Sequence, residues 1–267
     1  MTRLLDCTLL SAMARMLKGC VSKMTFVALF GSLPHLALAQ GGPPLLTDDP
    51  GTPGNGRTEL NLAVTAEKFR TEAQYNTPLL DFNYGIGDRM QVKLEIPWLI
   101  STTTSHPTES GLGEIIGGFK WRYLDENRSG VDASVYPQVN YTASERVRPT
   151  ILAPEGVGLL LPVQFAKDLG PVSVNGEVGY LLREEPEDAW IWGLALGRKV
   201  TEALELLGEV YGESARKFET AQIVYNVGAR LQLSKLNSIL ISAGRGIRGE
   251  RREEPEFIGY LGLQFNF

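Results

Sequence analysis

Three groups of residues have types and spacings that suggest chemistry. The first is Ser105-His106 in "TTTSHPT", a nucleophile beside a base. Acyl transfer needs that pair in mutual contact, with donors for an oxyanion, yet consecutive side chains rarely face each other and no oxyanion hole is marked. Pro107 makes the stretch an ordinary polar turn. The second is "GRGIRG" (244–249), which spells a dinucleotide-binding glycine pattern. That motif needs a helix after it and an acidic residue farther on, and Pro255 with the nearby chain end leaves room for neither. His106 is the one histidine after residue 39 and no cysteine follows Cys20, so zinc sites lack ligands. Glu184, Glu185, Glu187 and Asp188 lack the spacing of a calcium loop. No catalytic residue, metal site or cofactor is assigned.

The third group is a row of charges. Lys93, Glu95, Glu114, Lys120, Arg122, Asp132, Glu177, Glu205, Glu209 and Arg230 fall on the mixed parity of alternating segments, with Glu59, Glu67, Asp81 and Arg183. Buried charges are costly unless paired. So many on one face predict a water-filled lumen or a dense network of ion pairs. In the first case Lys93, Lys120, Arg122 and Arg230 form a basic track beside an acidic wall and align a polar or carboxylated solute. In the second the charges only satisfy one another.

The elements that position this row are strands. Twelve segments of roughly 10 to 13 residues run near 57–69, 73–84, 89–100, 112–124, 130–142, 156–167, 171–183, 188–199, 202–212, 218–233, 237–246 and 256–267. One parity is aliphatic or aromatic. In "DAWIWGLALGRK", Trp190, Trp192, Leu194 and Leu196 oppose a small-residue row of Gly193, Ala195 and Gly197. In "FIGYLGLQFNF" the alternation reaches the last residue, with Phe265 and Phe267 on the apolar side. Trp121, Tyr123, Trp190, Trp192, Phe265 and Phe267 are the predicted lipid-facing aromatic girdle. Tight turns such as "GIGD" (85–88) and "DLGP" (168–171) alternate with mostly longer, charged links such as 101–111 and 143–155. Outer-membrane barrels are built that way, and an even strand count puts both termini on the short-turn, periplasmic side. Residues 201–211 also fit a short amphipathic helix, and Pro97, Pro137 and Pro162 predict bulges or interruptions.

The amino-terminal region differs from the rest. Lys18 and Lys23, an apolar stretch from Thr25 to Leu33 and Ala37-Leu38-Ala39 predict a signal peptide over 1–39. Of 26 basic and 31 acidic residues, four and one lie in 1–39, so the remainder carries a net charge of −8. Cys7 and Cys20 also fall there, so no disulfide stabilises an exported chain. The acidic balance gives no case for nucleic acid. Residues 40–56, "QGGPPLLTDDPGTPGNG", read as an extended lead-in, ordered only if it docks, and 57–267 as a transmembrane β-barrel.

"GPPLLTDDP", "LDFNYGIGDRMQVKLEIPW" and "ISAGRGIRG" together resemble the bacterial family of phenol-degradation meta-pathway transporters, outer-membrane β-barrels. The resemblance spans the chain after residue 39, and "LLTDDP" and "SAGRGIRG" are its more specific pieces. It implies uptake of aromatic or other small hydrophobic molecules and transfers no site residue.

The expectation is an all-β, up-and-down antiparallel transmembrane barrel of about twelve strands in the outer membrane of a Gram-negative bacterium. Twelve strands enclose a backbone cylinder of ~24 Å, leaving a bore of ~10 Å unless 40–56 or an outer loop plugs it. The expected function is a channel for passive diffusion or uptake of small solutes, aromatic or acidic compounds among them. The alternatives are a plugged structural or surface-interaction barrel and a lipid-acting outer-membrane enzyme. Expected partners are membrane lipid, the assembly machinery that reads the C-terminal strand, and a small-molecule solute. Lipopolysaccharide joins them if Arg146, Arg148, Arg248, Arg251 and Arg252 grip its phosphates.

Overall fold

The computed structural model describes residues 42–104, 107–142, 155–185, 188–218, 221–248 and 254–267. Residues 1–41, Ser105, His106, Arg146, Arg148, Glu187, Arg251 and Arg252 lie outside the described residues, as do the side chains of Glu184 and Glu185; the expected signal peptide therefore lies outside them too.

Alternating sequence makes strands throughout: β1 (Thr58–Lys68), β2 (Glu72–Ile86), β3 (Met90–Thr103), β4 (Glu109–Leu112), β5 (Glu114–Leu124), β6 (Asp132–Val135), β7 (Gln138–Thr142), β8 (Glu155–Asp168), β9 (Val172–Glu185), β10 (Ala189–Lys199), β11 (Leu204–Ala215), β12 (Ala221–Gln232), β13 (Asn237–Arg248) and β14 (Phe257–Asn266). One four-residue helix, α1 (Glu126–Ser129), turns the chain between β5 and β6, capped by Asp125 and by Gly130 at φ 76°. Residues 201–211, open to a helical reading, contribute to β11.

The fourteen segments form twelve staves, because β4 continues into β5 at Gly113 and β6 into β7 at Tyr136-Pro137. All pairings are antiparallel, and β1 pairs with β14 to close the barrel. Closure reaches the last residue: Thr58 and Phe267 exchange backbone hydrogen bonds of 3.1 and 2.9 Å. The prolines sit where the ladder is already irregular or satisfied otherwise. Pro97 lies beside a register shift in β2, and its carbonyl accepts from Gly113. Pro137 occupies the break between β6 and β7, and the Pro162 carbonyl accepts from Tyr136.

The burial pattern is that of a soluble protein turned inside out. Leu62, Val64, Leu80, Phe82, Leu94, Leu194, Leu261 and Leu263 are exposed, while Asn61, Asn83, Gln164, Asn175, Asn226 and Gln264 are buried. An apolar band that encircles the molecule far exceeds the scattered patches of soluble monomers and matches a lipid-facing wall. Aromatic side chains collect at both ends of it. Trp121 and Tyr123 lie at the tight-turn end with ring centroids 6.1 Å apart, and Phe265 stacks on Phe267 at 6.4 Å. At the opposite end Trp190 meets the Tyr180 ring edge-on at 4.7 Å, and Trp192 lies across Gly212, its cross-strand partner, where a Cβ would strike the indole.

Candidate solute pathway

The polar row faces inward, and its cations are paired. Lys93 contacts Glu95 at 2.8 Å and Asp81 at 3.6 Å; Arg230 contacts Glu205 at 3.0 Å; Arg183 contacts Glu213 at 2.6 Å. Near the tight-turn end Arg122 reaches Asp132 at 3.9 Å and donates to the Asp88 carbonyl at 2.8 Å. The structure therefore favours the network over the open basic track, because Lys93, Lys120, Arg122 and Arg230 each face a carboxylate. Glu114 stands apart from these pairs, toward the long-link end of β5.

Lys120 shows what else the interior holds. Its Nζ donates to Asp48 Oδ1 at 3.1 Å and to the Asp49 carbonyl at 2.5 Å, and stands 4.5 Å above the Tyr136 ring. Asp48 and Asp49 belong to the lead-in, which docks inside the barrel. Leu46 and Thr47 donate their backbone N–H groups to the two oxygens of Glu209, at 2.8 and 2.7 Å. Asp48 N–H donates to Glu177 at 3.1 Å, Arg230 donates to the Pro43 carbonyl at 3.0 Å, and Ser242 donates to the Pro44 carbonyl at 2.7 Å. Glu209 also accepts from Asn226 at 2.7 Å, which orients its carboxylate. Burial alone would raise the pKa of both aspartates. For Asp48 the nearby Lys120 and Lys93 outweigh it and hold the carboxyl below its ordinary value, whereas Asp49 stays above its own.

The small-residue row of β10 makes room for this segment. A Cβ on Gly193 would strike the Thr47 side chain, and Leu45 packs against Ala195 and Leu207. Thr47, Ala195, Gln164 and Asn61 have no accessible surface, so the barrel is filled at this level. Residues 52–57 then run back along the β2–β3 turn: Gly56 N–H donates to the Gly85 carbonyl at 3.0 Å, and the Thr52 hydroxyl donates to the Asp88 carbonyl at 3.1 Å. The segment thus enters from the tight-turn end. Its role was open in the sequence, where Pro and Gly without periodicity say nothing about a docking site.

Beyond the plug, toward the long-link end, apolar side chains join the inward polar ones, which there include the buried Gln74, Ser101 and Glu213. Phe69, Leu79, Leu99, Leu181, Ile191, Val224 and Ile258 are buried there. Sequence reasoning missed these side chains because it read the inward parity by its charges, yet Leu79, Leu99, Leu181 and Ile191 stand on that same parity. There, Leu46, Phe69, Tyr211, Val224, Pro255 and Ile258 line a pocket together with Glu67, Glu213 and Gln222. Gly244 and Gly246 of "GRGIRG" lie in β13, where a Cβ on Gly244 would strike Asn226 and the Tyr225 carbonyl. They serve wall packing.

Fold and interior define an outer-membrane-type β-barrel with an apolar outer wall, a polar lumen and an inserted amino-terminal segment. Among solved structures the chain is similar to the COG4313 outer membrane channel from Pseudomonas putida F1, at 13% identity and a TM-score of 0.63, covering 85% of this chain and 100% of that one. It is also similar to the NanC porin, at 8% identity and 0.58, covering 77% and 98%, and to the KdgM porin in complex with disordered oligogalacturonate, at 9% and 0.52, covering 78% and 99%. No protein-family model and no curated protein matches the chain. At these identities the likeness is one of fold, and it is the fold that the resemblance to barrel transporters implies.

Proposed function

We propose that the protein is an outer-membrane channel for small solutes, closed at rest by residues 42–50. The observation that carries this reading is how the plug is held. Its fixing contacts are hydrogen bonds from or to its own backbone, one ion pair and a small apolar contact, all separable without breaking a strand pairing. The solved structures of similar fold, which are channels and porins, lend support.

The apolar side chains beyond the plug, Phe69, Leu99, Leu181, Ile191, Val224 and Ile258, lend support to small apolar solutes, aromatic ones included. Carboxylated solutes gain little from the lumen, since its cations already face carboxylates. The lumen-lining roles are Lys93, Glu95, Lys120, Glu177, Glu205, Glu209 and Arg230 around the plug, Arg122 and Asp132 near the tight-turn mouth, and Glu114 near the other. Residues 1–39 direct export, both termini lie in the periplasm, and the C-terminal strand is read by the assembly machinery. Trp121, Tyr123, Trp190, Trp192, Phe265 and Phe267 anchor the wall at the two lipid interfaces. Arg248, exposed at the end of β13, is the described candidate for lipopolysaccharide phosphate. No catalytic step belongs to this reading.

A closed structural barrel is the second reading, favoured by the complete burial of Thr47. Planar-bilayer recordings of refolded protein with and without residues 42–50 separate the two. Brief openings in the intact chain and steady conductance after deletion support the channel. Silence from both, when each shows the heat-modifiable migration of a folded barrel, establishes the structural role.

A further inference from the structure

The wall recognises the plug chiefly by its backbone. Glu209 accepts from the N–H groups of Leu46 and Thr47 at 2.8 and 2.7 Å, and Glu177 accepts from that of Asp48 at 3.1 Å. Donors answer the carbonyls: Lys120 donates to Asp49, Arg230 to Pro43 and Ser242 to Pro44, at 2.5, 3.0 and 2.7 Å. Three successive peptide N–H groups and three carbonyls are thus met by side chains of separate strands, all of them buried. The plug's own side chains are met more sparingly. Lys120 reaches Asp48 Oδ1, Leu45 packs on Ala195 and Leu207, and the space left by Gly193 takes Thr47. A carboxylate only accepts, and an ammonium or guanidinium only donates. The pattern on the wall therefore matches fixed donors and acceptors in the order of a peptide chain.

We propose that the lumen is a binding site for short peptides and that the plug is its tethered occupant. With the plug displaced, Glu209 loses two donors and Lys120 loses the two oxygens to which it donates. Buried charges that lose their partners are costly, so the vacated wall favours a ligand that returns them. A free peptide restores those bonds, and an apolar solute restores none. Leucine-sized side chains on such a peptide also reuse the contact with Ala195 and Leu207. A short tether holds the plug at an effective concentration of about millimolar, so free peptide competes with an intact plug only in that range. Passage of peptides rests on the channel reading; their binding does not.

The test uses the chain from residue 40, refolded into lipid nanodiscs, and a tritiated, end-blocked peptide GPPLLTDDP, the sequence of residues 42–50. A plug-silenced chain of unchanged length carries Leu45→Gly, Leu46→Gly, Thr47→Gly, Asp48→Gly and Asp49→Gly, with every wall residue in place. Equilibrium dialysis is expected to show the peptide bound at least ~10-fold more tightly to the silenced chain than to the intact one, because the tethered plug competes. Methylating the two peptide nitrogens that match Leu46 and Thr47 is expected to weaken binding at least ~10-fold, through loss of hydrogen bonds to a charged acceptor. With Glu209→Ala added to the silenced chain, methylated and plain peptides are expected to bind alike. An end-blocked tetra-alanine displaces the probe, whereas maltotriose and phenol do not. Leu46→Pro with Thr47→Pro, which removes the same two N–H groups from the plug, replaces the glycine variant if the latter loses heat-modifiable migration. Equal binding to intact and silenced chains, indifference to methylation, or displacement by maltotriose as effective as by tetra-alanine overturns the proposal. Peptide bound with these preferences by a barrel that never conducts upholds the site and removes the channel. A silenced chain that conducts but binds no peptide sinks this inference alone and leaves the channel standing.

Discussion

The Glu209 carboxylate grips two consecutive peptide groups of the plug, accepting from Leu46 at 2.8 Å and from Thr47 at 2.7 Å. One side chain of the wall thus fixes the direction of the inserted chain. Charge-assisted hydrogen bonds contribute ~1.5–3 kcal/mol each when desolvated. Glu209→Ala is expected to raise the open probability of single channels at least ~10-fold, a shift of ~1.4 kcal/mol. Glu209→Gln, which keeps one acceptor, is expected to fall between. An unchanged open probability in a folded Glu209→Ala barrel contradicts the tether.

Gly193 provides the complementary prediction. Its inward face is occupied by the Thr47 side chain, so Gly193→Leu must push the plug aside or shift β10. Of the two, the plug is held by fewer contacts. Conductance close to that of the deletion variant, with unchanged thermal stability of the barrel, is the expected result. A large fall in melting temperature with no gain in conductance shows that the strand yields first.

Lys120 tests the electrostatics. It pairs with Asp48, donates to the Asp49 carbonyl and sits over Tyr136. Lys120→Glu sets a carboxylate against Asp48 and is expected to release the plug and shift selectivity toward cations. Lys120→Met keeps the stem packing and removes the charge, and should open the channel less. Reversal potentials in a salt gradient check the order of the two variants. Equal effects would mean that the ammonium contributes packing alone.

The chain end makes a prediction about assembly. Phe267 exchanges backbone hydrogen bonds with Thr58 and stacks on Phe265. Removing Phe267 deletes the last rung of the seam that closes the barrel and an exposed ring worth ~1.5–3 kcal/mol when it enters lipid. The fraction of protein reaching the heat-modifiable form in cells is expected to fall several-fold, and refolding yield in vitro by less. Equal losses in both settings argue for stability alone.

The strands and their inward and outward faces were legible from residue 57 onward, because a barrel wall has a period of two and one side must satisfy lipid. That is why the span read as 73–84 is β2 and why Phe265 and Phe267 stand on the outer parity. Two local signals read less clearly. "TEALELLGEVY" carries helical spacing as well as alternation, and its pairing with β10 and β12 decides for a strand. Pro137 signals an interruption, but that the chain resumes in the same stave depends on β5 and β8 pairing with both halves.

The sequence by itself determined a closed antiparallel wall, its polarity and the set of charges it encloses, since each follows from alternation and turn chemistry along one strand at a time. Only the tertiary structure decided what fills the bore. The plug has no periodicity, and its partners Lys120, Glu177, Glu209, Arg230 and Ser242 come from five separate strands. The same holds for the small row Gly193, Ala195 and Gly197, which looks like weak packing until Thr47 and Leu45 are seen to rest on Gly193 and Ala195. Side chains that meet across a lumen are set by strand order and register around the whole ring, and no local pattern encodes that sum.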